Sequence, residues 1–566
     1  MISVSESTTA RETGDTLAKH RFDPRDRHLI LAHVGIAVGA LLIGAVAGLL
    51  QVVERAGWVQ LPGGINYYQM LTVHGVLLAL VFTTFFIFAY LYAGLARTLD
   101  GQLIQSSRTL AWIGYGMMTL GTVLALVHIL TNDASVLYTF YPPLHAAPWF
   151  YVGLALLVVG SWLASVVVIL NYIRWRKKNK GEHSPLFAYM ALAIVILWLH
   201  ASLFVAIEVV VQLIPWAFGW VDRVNVSLSR TLFWYFGHAL VYFWLLPAYI
   251  YWYVNIPQII GGKIFSSSLP RLTFILFILF SIPVGLHHQL NDPGVESFWK
   301  YLQVTLTMAV VVPTLITAFS ILATFEMTGR DKGAKGLFGW VKKLPWKDVR
   351  FFTPFVAMAI FIVGGAGGVV QASYQLNQLV HNTWFITGHF HMTLASTVGL
   401  TYFAALYWMI PIMRNRKLTP GLNRLGIIQT VTWTVGMLLM SGTMHIVGLM
   451  GAPRRTSFST YADHEVVSSW TPYLQLIGVG GIFLFIAILM AVYIFIHLWF
   501  FAPKTDQPAE FPIGVVYEKA TEPPRILERW SVWIGVSVAL SMIAYAMPLS
   551  DMILNPAPGA LPMRPW

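Results

Sequence analysis

Six histidines are the residues of this 566-residue chain best suited to chemistry, because each lies in a long apolar stretch or at its end. They are His74, His238, His287, His288, His389 and His391. Ionisable side chains inside membrane spans are costly and are usually functional. Imidazole is a common ligand of iron and copper, and the chain has no cysteine that could supply thiolate ligands. The set predicts a metal or haem centre rather than six separate packing interactions.

The spacing of these residues refines that prediction. His389 and His391 are two positions apart, so on a helix they point about 200° away from each other and can serve two different cofactors. His238 and Tyr242 are four positions apart and share one helix face. The phenol of Tyr242 can therefore approach the imidazole of His238 or a metal bound to it.

Adjacent histidines are harder to reconcile with one metal ion. His287 and His288 stand at the end of the seventh apolar stretch, where helical geometry would separate their directions by about 100°. A local distortion of the helix end is needed to bring both rings to one ion.

The elements that carry these residues are predicted to be membrane-spanning helices. Apolar residues make up 57% of the chain and charged residues 11%, a balance that excludes an ordinary soluble domain. A span needs about 20 apolar residues, and the stretches lack the alternation of a membrane barrel. We predict an all-α bundle of about 13 transmembrane helices at 28–50, 68–96, 109–131, 147–173, 186–214, 230–254, 271–288, 300–325, 353–373, 380–412, 426–450, 470–500 and 530–555.

Basic residues in the connections predict the orientation of the bundle. They crowd the loops at 174–180, 330–350 and 414–424, which follow even-numbered helices and are expected to face the cytoplasm. The N-terminus is then cytoplasmic, with a polar N-terminal segment at 1–27 and a single transmembrane domain at 28–566. The net charge of +12 is explained by topology and attraction to anionic membrane lipid, and no motif suggests nucleic-acid binding.

Orientation also places the six histidines at one depth. The second, sixth and tenth predicted helices run inward and carry His74, His238, His389 and His391 near their starts. The seventh runs outward and ends at His287 and His288. All six are therefore predicted to lie near the outer surface of the membrane.

Three segments resemble signature motifs of subunit I of the haem-copper oxygen reductases. They are GHALVYFWLLPAY around His238, VGLHHQLNDPG around His287, and HNTWFITGHFHM around His389; VLYTFYPPL near Tyr138 and GAPRRT at Arg454 also match. Within this superfamily the chain is most similar to the B-type cytochrome c oxidases. The resemblance implies four-electron reduction of dioxygen to water, proton uptake and proton pumping in a prokaryotic cell membrane.

The same resemblance implies a role for each histidine. His74 and His391 would be the axial ligands of a low-spin haem of b or a type, and His389 the proximal ligand of a high-spin haem of a or o type. His238, His287 and His288 would hold one copper ion. In the family the tyrosine that matches Tyr242 is joined covalently to the histidine and supplies an electron and a proton.

Haem propionates are implied to lie near the outer surface. The matching positions are Arg230, Asp292, His381, Asn382, Arg454 and Arg455. The two adjacent arginines also need an anionic partner on physical grounds, because an outer loop is expected to carry few basic residues. Propionates could satisfy them through bidentate, charge-assisted hydrogen bonds.

A stripe of tyrosines is implied to carry protons. Tyr242, Tyr249 and Tyr253 are spaced by seven and four, so they share one face of the sixth helix, and Ser266, Thr314 and Thr317 could extend the row. By itself this pattern fits an aromatic packing stripe with helix-capping hydroxyls at least as well. The resemblance to the B-type enzymes is what implies a proton-uptake route.

The electron donor must reach this chain through another subunit, since no cysteine is available for a binuclear copper site or a covalently attached haem. The resemblance implies a copper-bearing subunit II fed by cytochrome c, although a quinol donor stays open. A nitric oxide reductase lacks the tyrosine at this spacing, and a transporter would not explain His389 and His391. Glu208, a carboxylate within the fifth span, is expected to form a helix–helix hydrogen bond.

Overall fold

The computed structural model describes residues 22–458, 460–505 and 511–564, and within them the chain forms thirteen long or moderately long helices. These are α1 Pro24–Arg55, α2 Tyr67–Thr98, α3 Gln105–Leu130, α4 Pro148–Lys178, α5 Leu186–Ala217, α6 Val226–Ile259, α7 Ser268–Phe280, α8 Ser297–Asp331, α9 Val349–Ala372, α10 Trp384–Arg414, α11 Pro420–Leu449, α12 Glu465–Phe501 and α13 Trp530–Leu554. Twelve are long and apolar enough to cross a membrane, and α7 is a shorter apolar helix.

The predicted all-α bundle is confirmed. The described part of the chain pairs strands only as isolated bridges, so helices supply the architecture. Of the predicted segment at 1–27, residues 1–21 lie outside the described residues. The helix α1 begins at Pro24, where the side chain of Asp23 accepts a hydrogen bond from the Arg25 N–H and caps the helix.

Small residues allow neighbouring helices to approach closely. A Cβ atom placed on Gly153 of α4 would lie 2.7 Å from the carbonyl oxygen of Gly121 on α3, and one on Gly160 would lie 2.7 Å from that of Gly114. Backbones this close are typical of membrane bundles, where packing of small residues replaces the hydrophobic drive of water.

The helices that carry the histidines are the most deeply enclosed. The apolar windows of α2, α6 and α10 are 89%, 89% and 83% buried, whereas those of α3, α9 and α13 are each 28% buried. The central helices therefore form the core of the bundle, and the outer helices present apolar side chains to lipid.

The seventh helix differs from its predicted span of 271–288. It ends at Phe280, and His287 and His288 lie in a separate 3-10 turn, Gly285–Gln289. Pro283 explains the break, because proline lacks an N–H and its ring collides with the carbonyl four residues earlier. The two histidines are thus not at the end of a regular helix, and the distortion that their pairing requires is present.

Candidate metal centre

Three imidazoles meet beside the N-terminal half of α6. His238 comes from α6, and His287 and His288 come from the 3-10 turn that follows α7. One ring nitrogen of each lies within 4.8 Å of the others, and Nδ1 of His238 is 3.2 Å from Nε2 of His288. The other nitrogen of His238, Nε2, is buried without a hydrogen-bond partner. Buried nitrogens so close together fit a shared metal ion.

Neighbouring side chains hold the rings of this three-histidine cluster. The indole of Trp234 stacks on His288 with ring centroids 3.8 Å apart and planes within 9° of parallel. Nδ1 of His287 donates to the hydroxyl oxygen of Thr307, 2.9 Å away, since that hydroxyl donates in turn to a backbone carbonyl. Such contacts orient metal-binding imidazoles and leave Nε2 of His287 available as a ligand.

The phenol of Tyr242 stands beside the cluster. It lies one helical turn beyond His238 on α6, with ring centroids 5.0 Å apart. The sequence spacing predicted this proximity, and the helical geometry produces it.

A second pair of histidines faces across a gap between α2 and α10. The rings of His74 and His391 have centroids 6.2 Å apart and planes within 15° of parallel. Nδ1 of His74 donates to the carbonyl of Gly44 at 2.9 Å, and Nδ1 of His391 donates to that of Thr387 at 2.8 Å. A carbonyl can only accept, so Nδ1 carries the proton on both rings and Nε2 is the nitrogen left to bind a metal.

A large cavity surrounds this pair. It is lined mainly by apolar side chains from α1, α2, α10, α11 and α12, together with Trp384, Arg454 and Arg455. A cavity with two opposed imidazoles, apolar walls and cations at one edge suits a flat macrocycle with acidic substituents.

His389 lies on a different side of α10 from His391. Its Nδ1 donates to the carbonyl of Gly364 on α9 at 2.7 Å. Added Cβ atoms on Gly367 and Gly368 would lie 3.4 Å and 3.0 Å from its ring, so these glycines allow α9 to approach it closely. The single helix α10 thus supplies His389 and His391 to two separate sites.

Two adjacent arginines lie between the end of α11 and α12. Arg454 donates to the Asn382 side-chain oxygen at 3.2 Å, and no described carboxylate lies within salt-bridge distance of Arg454 or Arg455. Burial, with the positive charge of Arg455 beside it, lowers the pKa of the Arg454 guanidinium to about 9. A pair of half-buried cations in this setting favours an anionic ligand.

The remaining propionate candidates form a connected group. Arg230 on α6 makes a 2.7 Å ion pair with Asp292, whose other oxygen lies 4.0 Å from Nε2 of His381. Nδ1 of His381 is 3.0 Å from the side-chain oxygen of Asn377. Burial lowers the pKa of His381, and the carboxylate of Asp292 opposes that effect.

The tyrosine stripe is only partly connected. The hydroxyl of Tyr253 donates to Thr317 on α8 at 2.9 Å, and the Tyr249 hydroxyl lies beside Thr314 without meeting hydrogen-bond geometry. Ser266 instead caps α7, accepting from the Ser268 and Leu269 N–H groups at 3.2 Å.

Several residues that contact the histidine turn were not singled out from the sequence. Gln303 and Tyr545 accept hydrogen bonds from its backbone N–H groups, and for Gln303 the polar positions of α8 were the available signal. Glu208 on α5 is fully buried and accepts a 2.5 Å hydrogen bond from Ser229 on α6, which is the helix–helix contact expected for it.

Comparison with known proteins gives one consistent family. The family model described as cytochrome C and quinol oxidase polypeptide I matches residues 28–483. Cytochrome c oxidase subunit 1 of Thermus thermophilus is 39% identical over 505 residues, covering 88% of this chain and 89% of that protein. A probable cytochrome c oxidase subunit 1-beta of Nocardia farcinica is 26% identical over 492 residues, covering 83% and 78%.

A solved structure agrees with these relatives. It is a haem-copper terminal oxidase dimer determined by electron cryo-microscopy, and this chain matches it with a TM-score of 0.90 at 35% identity. The match covers 95% of each chain.

Proposed function

From the membership of this chain in the cytochrome c and quinol oxidase polypeptide I family, we infer that it is the catalytic subunit of a terminal oxidase, a haem-copper oxygen reductase. The enzyme is a cytochrome c oxidase, located as a multi-pass protein in the prokaryotic plasma membrane. The observation that carries this function is the cluster of His238, His287 and His288, with donor atoms within 4.8 Å and Tyr242 adjacent.

The residues present fit the cofactors of the family, a low-spin haem, a high-spin haem and one copper ion. His74 and His391 would hold the low-spin haem of b or a type, because Nε2 of each is left free by the bond that Nδ1 makes. His389 would hold the high-spin haem of a or o type for the same reason. The three-histidine cluster would hold copper. When bound, the haems and copper carry electrons and supply the four electrons that reduce dioxygen to water.

The positions of the two ring nitrogens of His238 support the copper assignment. Nδ1 of His238 lies 3.2 Å from Nε2 of His288, whereas Nε2 of the His238 ring is buried without a partner. We propose that this unpartnered Nε2 is the atom that joins the ring of Tyr242, whose centroid lies 5.0 Å from that of the imidazole. Forming this C–N bond breaks the imidazole N–H bond and one ring C–H bond and releases two protons and two electrons, and dioxygen, the substrate of the enzyme, would accept the electrons. The phenol of Tyr242 would hold a proton and an electron for the reaction.

The outer cationic group would bind the haem propionates. Arg454 and Arg455 lack a carboxylate partner among the described residues and line the cavity of His74 and His391. Asn382 orients Arg454, and the group of Arg230, Asp292 and His381 extends the polar surface. Their role is to position and neutralise the anionic edges of the haems.

Proton uptake is proposed to follow α6 and α8. The bond from Tyr253 to Thr317 supplies one step, and Tyr249 beside Thr314 leads towards Tyr242. The hydroxyls of Tyr249, Thr314 and Tyr242 would be bridged by water where direct bonds are missing. Ser266 would lie at the cytoplasmic entrance, given the proposed orientation with the N-terminus inside and a single transmembrane domain at 28–566.

The family implies a second subunit and dioxygen as partners. In finer detail we propose a B-type oxidase whose subunit II carries a binuclear copper site and receives electrons from cytochrome c. This proposal rests on the absence of cysteine ligands in this chain and on the resemblance of its motifs. Turnover with purified cytochrome c but not with quinol would support it, and the reverse would identify a quinol oxidase.

The function is tested by metal analysis of the purified membrane complex, combined with reduced-minus-oxidised spectra and oxygen-consumption assays. We expect two haems per copper in this chain after correction for copper in subunit II, and oxygen consumption that is sensitive to cyanide. Haem with non-haem iron in place of copper, together with nitric oxide turnover, would contradict the proposal and indicate a nitric oxide reductase.

A further inference from the structure

The turn that carries His287 and His288 has backbone N–H groups that lack helical hydrogen-bond acceptors. The helix α7 ends at Phe280, ahead of Pro283, so the N–H groups of Gly285 and Leu286 have no helical carbonyl to bind. Both residues are buried, and buried N–H groups need partners. The partners come from the side chains of two other helices.

Tyr545 on α13 binds the first of these groups. Its hydroxyl oxygen accepts from the Gly285 N–H at 2.8 Å, and the side chain is 2% exposed. A Cβ atom on Gly285 would lie 2.5 Å from this hydroxyl, so glycine is required for the approach. Tyr545 lies beyond residues 28–483, the part of the chain that the family model matches.

Gln303 on α8 binds the second group. Its side-chain oxygen accepts from the Leu286 N–H at 2.8 Å, and its side-chain nitrogen donates to the carbonyl of Ala544 at 3.1 Å. The glutamine is fully buried, so both of its bonds form away from water. It therefore links the histidine turn to α13 at the position next to Tyr545.

One face of α8 contacts this turn and the loop that follows it. Lys300, Gln303 and Thr307 are spaced by three and four, which places them on the same side of the helix. Lys300 donates to the carbonyls of Leu290 at 3.0 Å and Asp292 at 2.7 Å. Within Ser297–Ala309 the only buried residues are Lys300 and Gln303, both polar, so this segment is held against the bundle through polar contacts.

We propose that Gln303 and Tyr545 are positioning residues of the copper site, which hold the His287–His288 turn in the shape that lets both imidazoles reach one ion. The rings of His287 and His288 have centroids 4.2 Å apart, and the backbone that carries them is anchored by two N–H groups that bind side chains of other helices instead of helical carbonyls. The proposal rests on the proposed function, in which His287 and His288 are copper ligands. Neither residue touches the copper itself.

Copper retention and an infrared probe test this role. Tyr545→Phe removes only the hydroxyl, and Gln303→Met removes both hydrogen bonds at similar volume. We expect copper to be lost from the purified complex at chelator concentrations about 10- to 100-fold lower than for the wild type, measured as copper per haem after dialysis against EDTA. The C–O stretch of carbon monoxide bound to the remaining copper should shift or broaden.

Tyr235→Phe is the matched control. Its ring packs 4.5 Å from that of Tyr545, but its hydroxyl pairs with His200 at 2.9 Å and does not touch the turn. This variant should retain copper and the carbon monoxide band of the wild type. Gln303→Glu, which keeps an acceptor for the Leu286 N–H, should retain more copper than Gln303→Met.

The outcomes separate this inference from the function on which it rests. The low-spin haem band should be unchanged in every variant, which shows that the bundle is folded. If Tyr545→Phe and Gln303→Met keep wild-type copper retention and the same infrared band, the positioning role is wrong. If His287→Leu also keeps its copper, the assignment of the copper ligands itself is wrong.

Discussion

The imidazoles of His74 and His391 lie on two different helices, with ring centroids 6.2 Å apart and planes within 15° of parallel. This spacing leaves room between the two rings for one metal ion that both imidazoles would bind. The Nδ1 atoms of both rings donate to backbone carbonyls on α1 and α10, so the two Nε2 atoms are oriented before any metal is bound. Preorganisation of this kind raises the basicity of the ligand and selects one tautomer.

Loss of one of these imidazoles should remove the low-spin haem signal selectively. In His74→Leu we expect the sharp low-spin absorption band to disappear from reduced-minus-oxidised spectra, while copper and the carbon monoxide-binding high-spin haem are retained. The reason is that His389, the proposed ligand of the high-spin haem, lies on another side of α10. His497→Gln, near the C-terminal end of α12, is the control and should have a normal spectrum. Loss of both haems in His74→Leu alone would argue against separate sites.

Removal of the Tyr242 hydroxyl beside the three-histidine cluster should stop oxygen reduction without loss of haem or copper. Tyr242→Phe is expected to reduce oxygen consumption by about 10²-fold or more, because the group proposed to supply a proton is gone. Haem and copper content should equal the wild type, since the ring still fills its place next to Phe277. Tyr407→Phe, whose hydroxyl donates to Gln429 at 3.1 Å, is the control. Unchanged turnover in Tyr242→Phe would contradict the proposed role.

The unpaired arginines should tune the low-spin haem. Arg454→Gln removes a positive charge from the cavity edge, and this should stabilise the oxidised haem and lower its midpoint potential by about 59 mV, a tenfold shift in the equilibrium. Redox titration followed by absorption measures the change. Arg424→Gln, on the exposed start of α11, should leave the potential unchanged. An equal effect of both variants would show that the charge acts from a distance rather than at the haem.

The proposed proton route can be interrupted at its one direct hydrogen bond, from Tyr253 to Thr317. Thr317→Val removes the oxygen that accepts from the Tyr253 hydroxyl, and steady-state oxygen reduction should slow at least about tenfold. Stopped-flow reduction of the low-spin haem by its donor should keep its rate, because electron entry does not use this path. Thr305→Val, a lipid-side threonine of the same helix, is the control. Normal turnover in Thr317→Val would indicate that protons enter elsewhere.

Much of the site was predictable because it depends on local spacing. The intervals His389–His391 and His238–Tyr242 determine helix faces, and helical geometry converts them into two sites on α10 and a neighbouring phenol on α6. Hydropathy likewise predicted the helical class and thirteen apolar helices, since a lipid environment requires long apolar stretches with internal hydrogen bonds.

Hydrogen bonds between residues far apart in the sequence could be seen only in the tertiary structure. The break at Pro283 was present in the sequence, but the partners that make the His287–His288 turn usable come from Gln303 and from Tyr545, 257 residues further on than His288. Hydrogen bonds between distant helices leave no periodic pattern, because each polar residue alone fits a packing role equally well. The sequence by itself thus determined the helices and the type of metal ligands, whereas the packing of α8 and α13 decided the shape of the turn that presents them.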